Sequence, residues 1–529
     1  MTGSRLGLCG ALLAIGLGGV LVGQGLRARP DARPAMAASP VNGGALDPSD
    51  LRANNSPALV RNPRDPANLA VVNRVDAPAF GCRLHVSGDG GRRWTETPIP
   101  LPAGEEPKCF APDAAFAAGG ALHISFVTLA GPANSPAAAW VATSGDGGRT
   151  LGPARRVLGP LAFGVRLAAD PADPDRLYLT WLQAAQVGTL AFPDPGYPIL
   201  ATRSDDAGAT WSPPVRVSPP GRPRVVGAVP AATPGGLVVA YLDLGDDSLD
   251  YHGAHQGRGG EPDAGPWALV VARSRDGGRT WREAAADDAL VPTRRFVAFL
   301  PPTPSLAVRG ADAVHVAFPD GRSGDADVWL WSSPDGGASW RRPTRVNDTP
   351  GGDGRTQRLP AVAVSTDGRI DVVYLDGRND PDDVGAEVSL QSSYDGGRTF
   401  RPRARLSDRP FDTGIGVGGD KGLADLGSRL GLVSSPGAAT VVWTDTRAGN
   451  PVSLKQDLAR ASVDLRDPRA TSTAAMAAQL AGLAALVAAA LVWRRSRQRP
   501  PDPSAGASPA SPPASSPAGS SVADGTNRS

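Results

Sequence analysis

The stretch that decides the fold is SRDGGRTW, residues 274–281, because close copies of it recur along the chain. Six copies are present, and they start at Ser87, Ser144, Ser204, Ser274, Ser333 and Ser393. Successive copies lie 57 to 70 residues apart, which is the length of one four-stranded sheet with its loops. A repeat of this length predicts an all-β propeller in which each repeat forms one blade.

Each of these boxes has the chemistry of a tight turn. The carboxylate of an Asp such as Asp276 can accept backbone N–H groups, and the two glycines that follow it supply positive φ. The aromatic residue at the end of the box, Trp281 in this copy, suits a position where one sheet packs against the next. We therefore expect the boxes to stabilise the blades and to take no part in chemistry.

The boxes resemble the Asp-box, or BNR, repeat of the sialidase superfamily, and the resemblance covers about residues 50 to 466. It implies a propeller of four-stranded blades. It also implies a bacterial exo-alpha-sialidase-like protein, although the same repeat is similar in receptors and surface proteins that are not enzymes.

The number of blades depends on how the propeller closes. A seventh unit at the end of the chain, GSRLGLVSSPGA onwards, has three strands and no box, so it needs a fourth strand from elsewhere. The segment SPVNGGALDP, residues 39–48, resembles TRVNDTPGG at the end of the fifth repeat, residues 344–352. We expect this N-terminal segment to complete a seventh blade, with six blades as the alternative.

The two ends of the chain predict export and a membrane anchor. Arg5 and an apolar run precede Ala35-Met36-Ala37, which is typical of a secretory signal peptide or an uncleaved N-terminal anchor over residues 1–37. The propeller then occupies residues 38–466. Residues 467–493 are a linker and a predicted transmembrane helix, whose apolar part is 474–493. Residues 494–529 begin with an Arg-rich run and predict a disordered cytoplasmic tail.

Composition excludes one class of partner and suggests a disulfide. The net charge is only +2, and no basic stripe with interleaved aromatic residues is present, so we expect no nucleic-acid partner. Cys82 and Cys109 fall at the same face of the propeller, between the first two blades. An exported compartment would allow them to form a disulfide.

A second short motif lies where the second strand of a blade ends. It reads Asp320-Gly-Arg322 in the fifth repeat, Asp376-Gly-Arg378 in the sixth and Asp445-Thr-Arg447 in the seventh. The resemblance to sialidases implies that three arginines could hold a carboxylate of the substrate, because a guanidinium group pairs with it bidentately. The alternative is that each Asp and Arg form an ion pair that shapes the loop. Arg358 and Lys421 are further candidate cations on this face.

The same resemblance implies a catalytic tyrosine, a glutamate and an aspartate, and here the chain departs from the family. No tyrosine follows Tyr394, which lies in a box, and the Phe-Arg-Ile-Pro signature is replaced by ALVRNPRDP in the first repeat. Asp376 and Tyr251 are the catalytic candidates that are left.

One loop of the fourth repeat suggests a metal site. It contains Asp250, Tyr251, His252 and His255, and oxygen-rich clusters suit Ca²⁺ whereas His with carboxylate suits a transition metal. The alternative is a solvated acidic loop. We expect no cofactor other than a structural calcium ion.

Together these features predict an extracytoplasmic, membrane-anchored propeller that binds an anionic glycan or a surface protein through the face opposite the boxes. The alternative is an active exo-acting glycoside hydrolase of the exo-alpha-sialidase type.

Overall fold

A computed structural model describes residues 33–34, 38–45, 47–132, 134–185, 196–247, 265–293, 303–380, 384–417, 426–465 and 468–497. The chain divides into one compact unit, Pro30–Asp467, that contains the sheets and another that contains the described helix Pro468–Arg497, and each is described by itself.

The described strands form seven antiparallel sheets, each built from consecutive strands except the last. The chain begins with β1 (Arg33–Pro34) and β2 (Ser39–Pro40). Blade one contains β3 (Asn54–Arg61), β4 (Leu69–Val75), β5 (Gly81–Ser87) and β6 (Thr95–Thr97). Blade two contains β7 (Cys109–Phe116), β8 (Leu122–Ala130), β9 (Ser135–Ser144) and β10 (Arg155–Leu158). Blade three contains β11 (Ala162–Ala169), β12 (Leu177–Gln183), β13 (Ile199–Ser204) and β14 (Val215–Arg216).

The later blades follow the same order. Blade four contains β15 (Val225–Thr233), β16 (Gly236–Asp243), β17 (Trp267–Ser274) and β18 (Arg282–Leu290). Blade five contains β19 (Ser305–Arg309), β20 (Ala313–Asp320), β21 (Asp327–Ser333) and β22 (Thr344–Arg345). Blade six contains β23 (Gln357–Val364), β24 (Ile370–Asp376), β25 (Gly385–Ser393) and β26 (Ala404–Arg405), and β27 (Phe411–Asp412) also pairs with β25. Blade seven contains β28 (Gly431–Ser435), β29 (Ala438–Asp445) and β30 (Asp457–Asp464).

The N-terminal segment closes blade seven. Both β1 and β2 pair antiparallel with β30. Beyond β2, the Val41 amide donates to the Leu458 carbonyl at 2.8 Å, and the Leu458 amide donates to Asn42 Oδ1 at 2.8 Å. Val346 and Asn347 make the same two bonds to Val328 in blade five. The seven-bladed propeller with N-terminal closure is therefore confirmed, and the six-bladed alternative is excluded.

The core lies between neighbouring blades. The first strand of every blade contacts the first strand of the next, so that these seven strands form a closed inner ring and the fourth strands lie outermost. Each second strand from blade two to blade seven carries an aromatic residue that is at most 2% exposed: Phe126, Trp181, Tyr241, Phe318, Tyr374 and Trp443. These side chains are fully buried and belong to the core.

The helix α1 spans Pro468–Arg497. Among the residues that the structure describes, no helix is long and apolar enough to cross a membrane. The transmembrane assignment of residues 474–493 is thus corrected to an alanine-rich helix. The physical reason is that alanine is only weakly hydrophobic and that Gln479 interrupts the apolar run. Residues 494–497, predicted to begin a disordered tail, form the end of α1. The rest of the predicted cytoplasmic tail lies outside the described residues, as does the predicted signal peptide apart from Arg33–Pro34.

Candidate functional site

The order of the strands divides the propeller into two faces. The boxes connect the third and fourth strands of blades one to six, and the loops between first and second strands lie at the same end. The loops between second and third strands, and those that lead from one blade to the next, lie at the opposite end. We call this second end the open face; the Asp-x-Arg motifs lie on it.

The Ser and Asp side chains of the boxes are hydrogen-bonded within the box. In the fourth box Ser274 Oγ donates to Asp276 Oδ1 at 2.7 Å, and the Gly278 amide donates to Ser274 Oγ at 2.8 Å. The Thr280 amide and hydroxyl donate to the same Asp276 carboxylate. The first two bonds recur in the other five boxes. Equivalent hydrogen bonds from Thr210 lower the pKa of Asp206 to about 2. The boxes are structural turns whose carboxylates stay ionised.

Arg322 lies between two carboxylates on the open face. Its Nη2 atom is 2.7 Å from Asp320 Oδ2 in its own loop and 2.7 Å from Asp287 Oδ2. Asp287 belongs to β18, the outermost strand of blade four. The guanidinium group also lies over the rings of Trp329 and Trp331, with its central carbon 5.4 and 5.6 Å from their centroids. This arginine therefore joins two blades at their outer part.

Arg378 and Arg447 repeat the arrangement in the next two blades. Arg378 Nε is 2.6 Å from Asp376 Oδ2, and its Nη2 is 2.7 Å from Asp348 Oδ1. Arg447 binds Asp445 through Nε at 2.8 Å and Asp408 through Nη1. Asp348 and Asp408 each lie three residues after the outermost strand of their blade, β22 in blade five and β26 in blade six. We call these three arginines with their six carboxylates the interblade clamps.

The clamps place each guanidinium group outward from the propeller axis, towards the outer strand of the preceding blade. An anionic ligand would therefore have to displace a carboxylate that is already bound. The contacts favour the ion-pair interpretation of the Asp-x-Arg motif over a convergent anion site.

In blades four and one, the Asp at the end of the second strand, equivalent to Asp320, pairs with an arginine at a different sequence position. In blade four Arg222 Nη1 is 2.7 Å from Asp243 Oδ2. In blade one Arg74 Nε is 2.6 Å from Asp76 Oδ1, and both side chains are almost fully buried. Sequence reasoning missed both partners because neither arginine follows its Asp by two residues.

Asp376, a catalytic candidate, is fully buried and engaged. Its Oδ2 atom accepts from Arg378 and from Ser389 Oγ at 2.8 Å, and its Oδ1 accepts from Gln357 Nε2 at 3.3 Å. A carboxylate with all these donors and no exposed side-chain surface is poorly placed to exchange a proton with a substrate.

The described tyrosines are also unavailable as nucleophiles. Four of them, Tyr178, Tyr197, Tyr241 and Tyr374, are buried, and Tyr394 lies in a box, where its hydroxyl donates to the Leu465 carbonyl. Tyr241 donates its hydroxyl to Glu283, which resembles a tyrosine and glutamate dyad. Burial and this hydrogen bond, however, raise the pKa of Tyr241 well above its usual value, so that the phenol stays protonated. Tyr251 lies outside the described residues.

Asp457 is a candidate that the sequence did not reveal. It begins β30 on the open face, accepts from Asn42 Nδ2 at 2.9 Å, and lies 3.8 Å from Lys455 Nζ. Burial raises its pKa to about 6. A carboxyl group with this pKa can hold a proton near neutral pH, as a general acid must.

The other predicted cations and metal ligands are only partly described. Arg358 donates to the hydroxyls of Thr356 and Thr413 at 2.9 and 2.8 Å. Lys421 and the loop with Asp250, His252 and His255 lie outside the described residues. Within the described ranges, no group of three His, Cys, Asp or Glu side chains could hold a metal ion.

Cys82 and Cys109 form a disulfide, with their Cα atoms 5.5 Å apart. The bond connects β5 of blade one with β7 of blade two at the open face. This is the pairing that the sequence predicts.

Known proteins that are similar to this chain were found among solved structures but not by comparison of sequences. No family model matches the chain, and no curated protein matches it. The endosialidase of phage phi92 is 9% identical, covers 83% of this chain and 70% of its own, and has a TM-score of 0.46. A Dyadobacter fermentans protein of unknown function is 13% identical over 83% of this chain and 100% of its own, with a TM-score of 0.44. An alpha-L-arabinanase of Penicillium chrysogenum is 15% identical over 69% and 96%, with a TM-score of 0.41.

Proposed function

We propose that this protein is an extracytoplasmic propeller that binds a glycan or a surface protein through its open face, without hydrolysing it. The proposal rests on the burial and hydrogen bonding of the side chains that could act as catalytic acid or nucleophile. In the described part of the chain, Asp376 is saturated with hydrogen bonds, and the tyrosines are buried or engaged in a box. A rigid face whose polar groups are held in place suits recognition better than proton transfer.

The interblade clamps support this role as a scaffold. They fix the loops of blades five, six and seven on the open face. The anionic glycan remains a candidate partner, but its carboxylate would compete with two protein carboxylates at each clamp. The proposal does not include a membrane tether, because no described helix is long and apolar enough to provide one.

Extracytoplasmic location has its own support. The disulfide between Cys82 and Cys109 is stable in an oxidising compartment, and the N-terminal sequence is typical of an exported protein.

A glycan array probed with the full chain tests the proposal. Binding of anionic sugars should weaken when the charge of an exposed arginine on the open face is reversed, with Arg409→Glu, in the loop after β26, as the variant. The matched control is Arg279→Glu in the fourth box, on the opposite face, which should bind as the wild type does. Loss of binding in the control alone would place the ligand on the box face and contradict the proposal.

The second candidate function is exo-acting glycoside hydrolysis. It is favoured by the position of Asp457 at the start of β30 on the open face, 3.8 Å from Lys455 Nζ, where burial raises its pKa to about 6; Tyr251 would be the nucleophile. Hydrolysis of a fluorogenic sialoside by the wild type, and its loss in Tyr251→Phe and Asp457→Asn, would establish this function instead.

A further inference from the structure

The outermost strand of blade four differs from those of the other blades. β18 has nine residues, whereas the fourth strands of blades one, two, three, five and six have two to four. Among the described strands β18 pairs only with β17, so that its other edge presents backbone N–H and C=O groups at the rim of the propeller. Such an edge is a template for pairing with a further strand.

The sequence explains why the other rim edges are short. In each of those five blades a proline follows the last residue of the box by two to four positions: Pro98, Pro153, Pro213, Pro343 and Pro402. Proline has no N–H to donate to a ladder, so it limits the length of an edge strand and protects it from pairing. The stretch REAAADDAL of β18 contains no proline. Blade four therefore lacks the protection that the other blades have.

The first half of β18 offers a regular edge. Its register with β17 is continuous from Arg282 to Ala285 and shifts at the residues that follow. Arg341 and Arg401, which occupy the position of Arg282 in blades five and six, donate their amides to the third strand. Because the hydrogen bonds of an antiparallel ladder alternate, the amides of Glu283 and Ala285 point away from β17. These two residues can bond to an incoming strand.

The charges of β18 make the strand complementary to itself. Glu283 and Asp287 are already bound to arginines of the same chain. Arg282 at the start of the strand and Asp288 near its end are exposed, and among the described residues neither has an ion-pair partner. Antiparallel pairing of two copies of β18 would bring Arg282 of each copy close to Asp288 of the other. Opposite charges on neighbouring strands favour this pairing.

We propose that two copies of this chain dimerise through antiparallel pairing of β18 with β18, which joins the two fourth blades into one continuous sheet. A second strand matches the alternating N–H and C=O groups of the edge, which a sugar or a lipid does not. Antiparallel pairing reverses the strand direction, so that the open faces of the two copies point in opposite directions. The contact is short, and the dimer is therefore weak and reversible. This inference concerns assembly and goes beyond the proposed function.

Sedimentation equilibrium of the full chain over a range of concentrations tests the dimer. The wild type should show a monomer–dimer equilibrium. Ala285→Pro removes an outward N–H without removing a bond to β17, and we expect it to raise the dimer Kd about tenfold or more. The matched control Ala285→Ser keeps the N–H and should dimerise as the wild type does. A wild type that stays monomeric, or a dimer that Ala285→Pro leaves unchanged, would overturn the proposal.

A charge exchange tests the antiparallel arrangement. Arg282→Asp and Asp288→Arg each bring like charges together across the interface, and each should weaken the dimer about threefold to tenfold. The double variant, with both changes, should restore the wild-type Kd. Such a restoration cannot arise from a general effect on folding, because each change alone weakens the dimer. A dimer that responds to neither single change, or that the double variant fails to restore, would overturn the pairing of β18 with itself.

Discussion

Replacing Arg378 by alanine tests whether the Asp-x-Arg motifs are interblade clamps. The Arg378 side chain is 16% exposed, and its partner Asp376 is fully buried. Removing the guanidinium leaves the Asp376 carboxylate with only Ser389, Gln357 and the Arg378 amide as donors. Breaking a buried ion pair costs roughly 3 to 5 kcal/mol, and we expect about 2 to 4 kcal/mol here because the arginine is partly solvated.

The other half of the clamp provides a matched comparison. The Asp348 side chain is 41% exposed, so that Asp348→Ala should cost at most about 1 kcal/mol, as exposed ion pairs do. Urea unfolding of both variants, followed by tryptophan fluorescence, gives the two free energies of unfolding. Wild-type stability in Arg378→Ala, combined with a loss of binding to anionic sugars, would refute the clamp and restore the convergent anion site.

Three further predictions follow from individual contacts. Burial lowers the pKa of His85, His123 and His315 to about 4. The free energy of unfolding should therefore be highest above pH 6.5 and fall as the pH drops towards 4, by up to about 3 kcal/mol per histidine. In urea unfolding at several pH values, His315→Gln should flatten this pH dependence, and an unchanged slope would show that His315 is not buried in its neutral form. Asn42→Ala should cost roughly 1 to 3 kcal/mol, because it removes a donor from Asp457 and an acceptor from the Leu458 amide. The control Asn379→Ala, at an exposed position, should cost less than about 0.5 kcal/mol, and equal losses would mean that the N-terminal segment does not close blade seven. Mass spectrometry of unreduced peptides should find Cys82 bonded to Cys109, and two freely alkylated thiols in exported protein would contradict the pairing.

The fold was predictable because its signals are local and repeated. The boxes encode their turns within eight residues, and the apolar residue followed by Asn in Val41-Asn42 and Val346-Asn347 marks the end of a blade. These features identified seven blades without any long-range information. The transmembrane assignment failed because a run of alanines has the length of a membrane span without its hydrophobicity.

The site was predictable only in part, because its pairings cross between blades. The Asp two residues before Arg322 is visible in sequence, but Asp287, 35 residues upstream, is not. Arg222 and Arg74 pair with the equivalent Asp of blades four and one, but the two pairs have different sequence separations, so no shared pattern reveals them. The raised pKa of Asp457 depends on burial under the N-terminal segment, which no local pattern records.

The central claim is that the open face binds its ligand without hydrolysing it. Incubating the full chain with 3′-sialyllactose, and following both the bound sugar and free sialic acid by NMR, tests this most directly. We predict that the sugar binds and that no sialic acid is released over background. Release of sialic acid by the wild type, abolished in Tyr251→Phe, would contradict the claim and identify the protein as a sialidase.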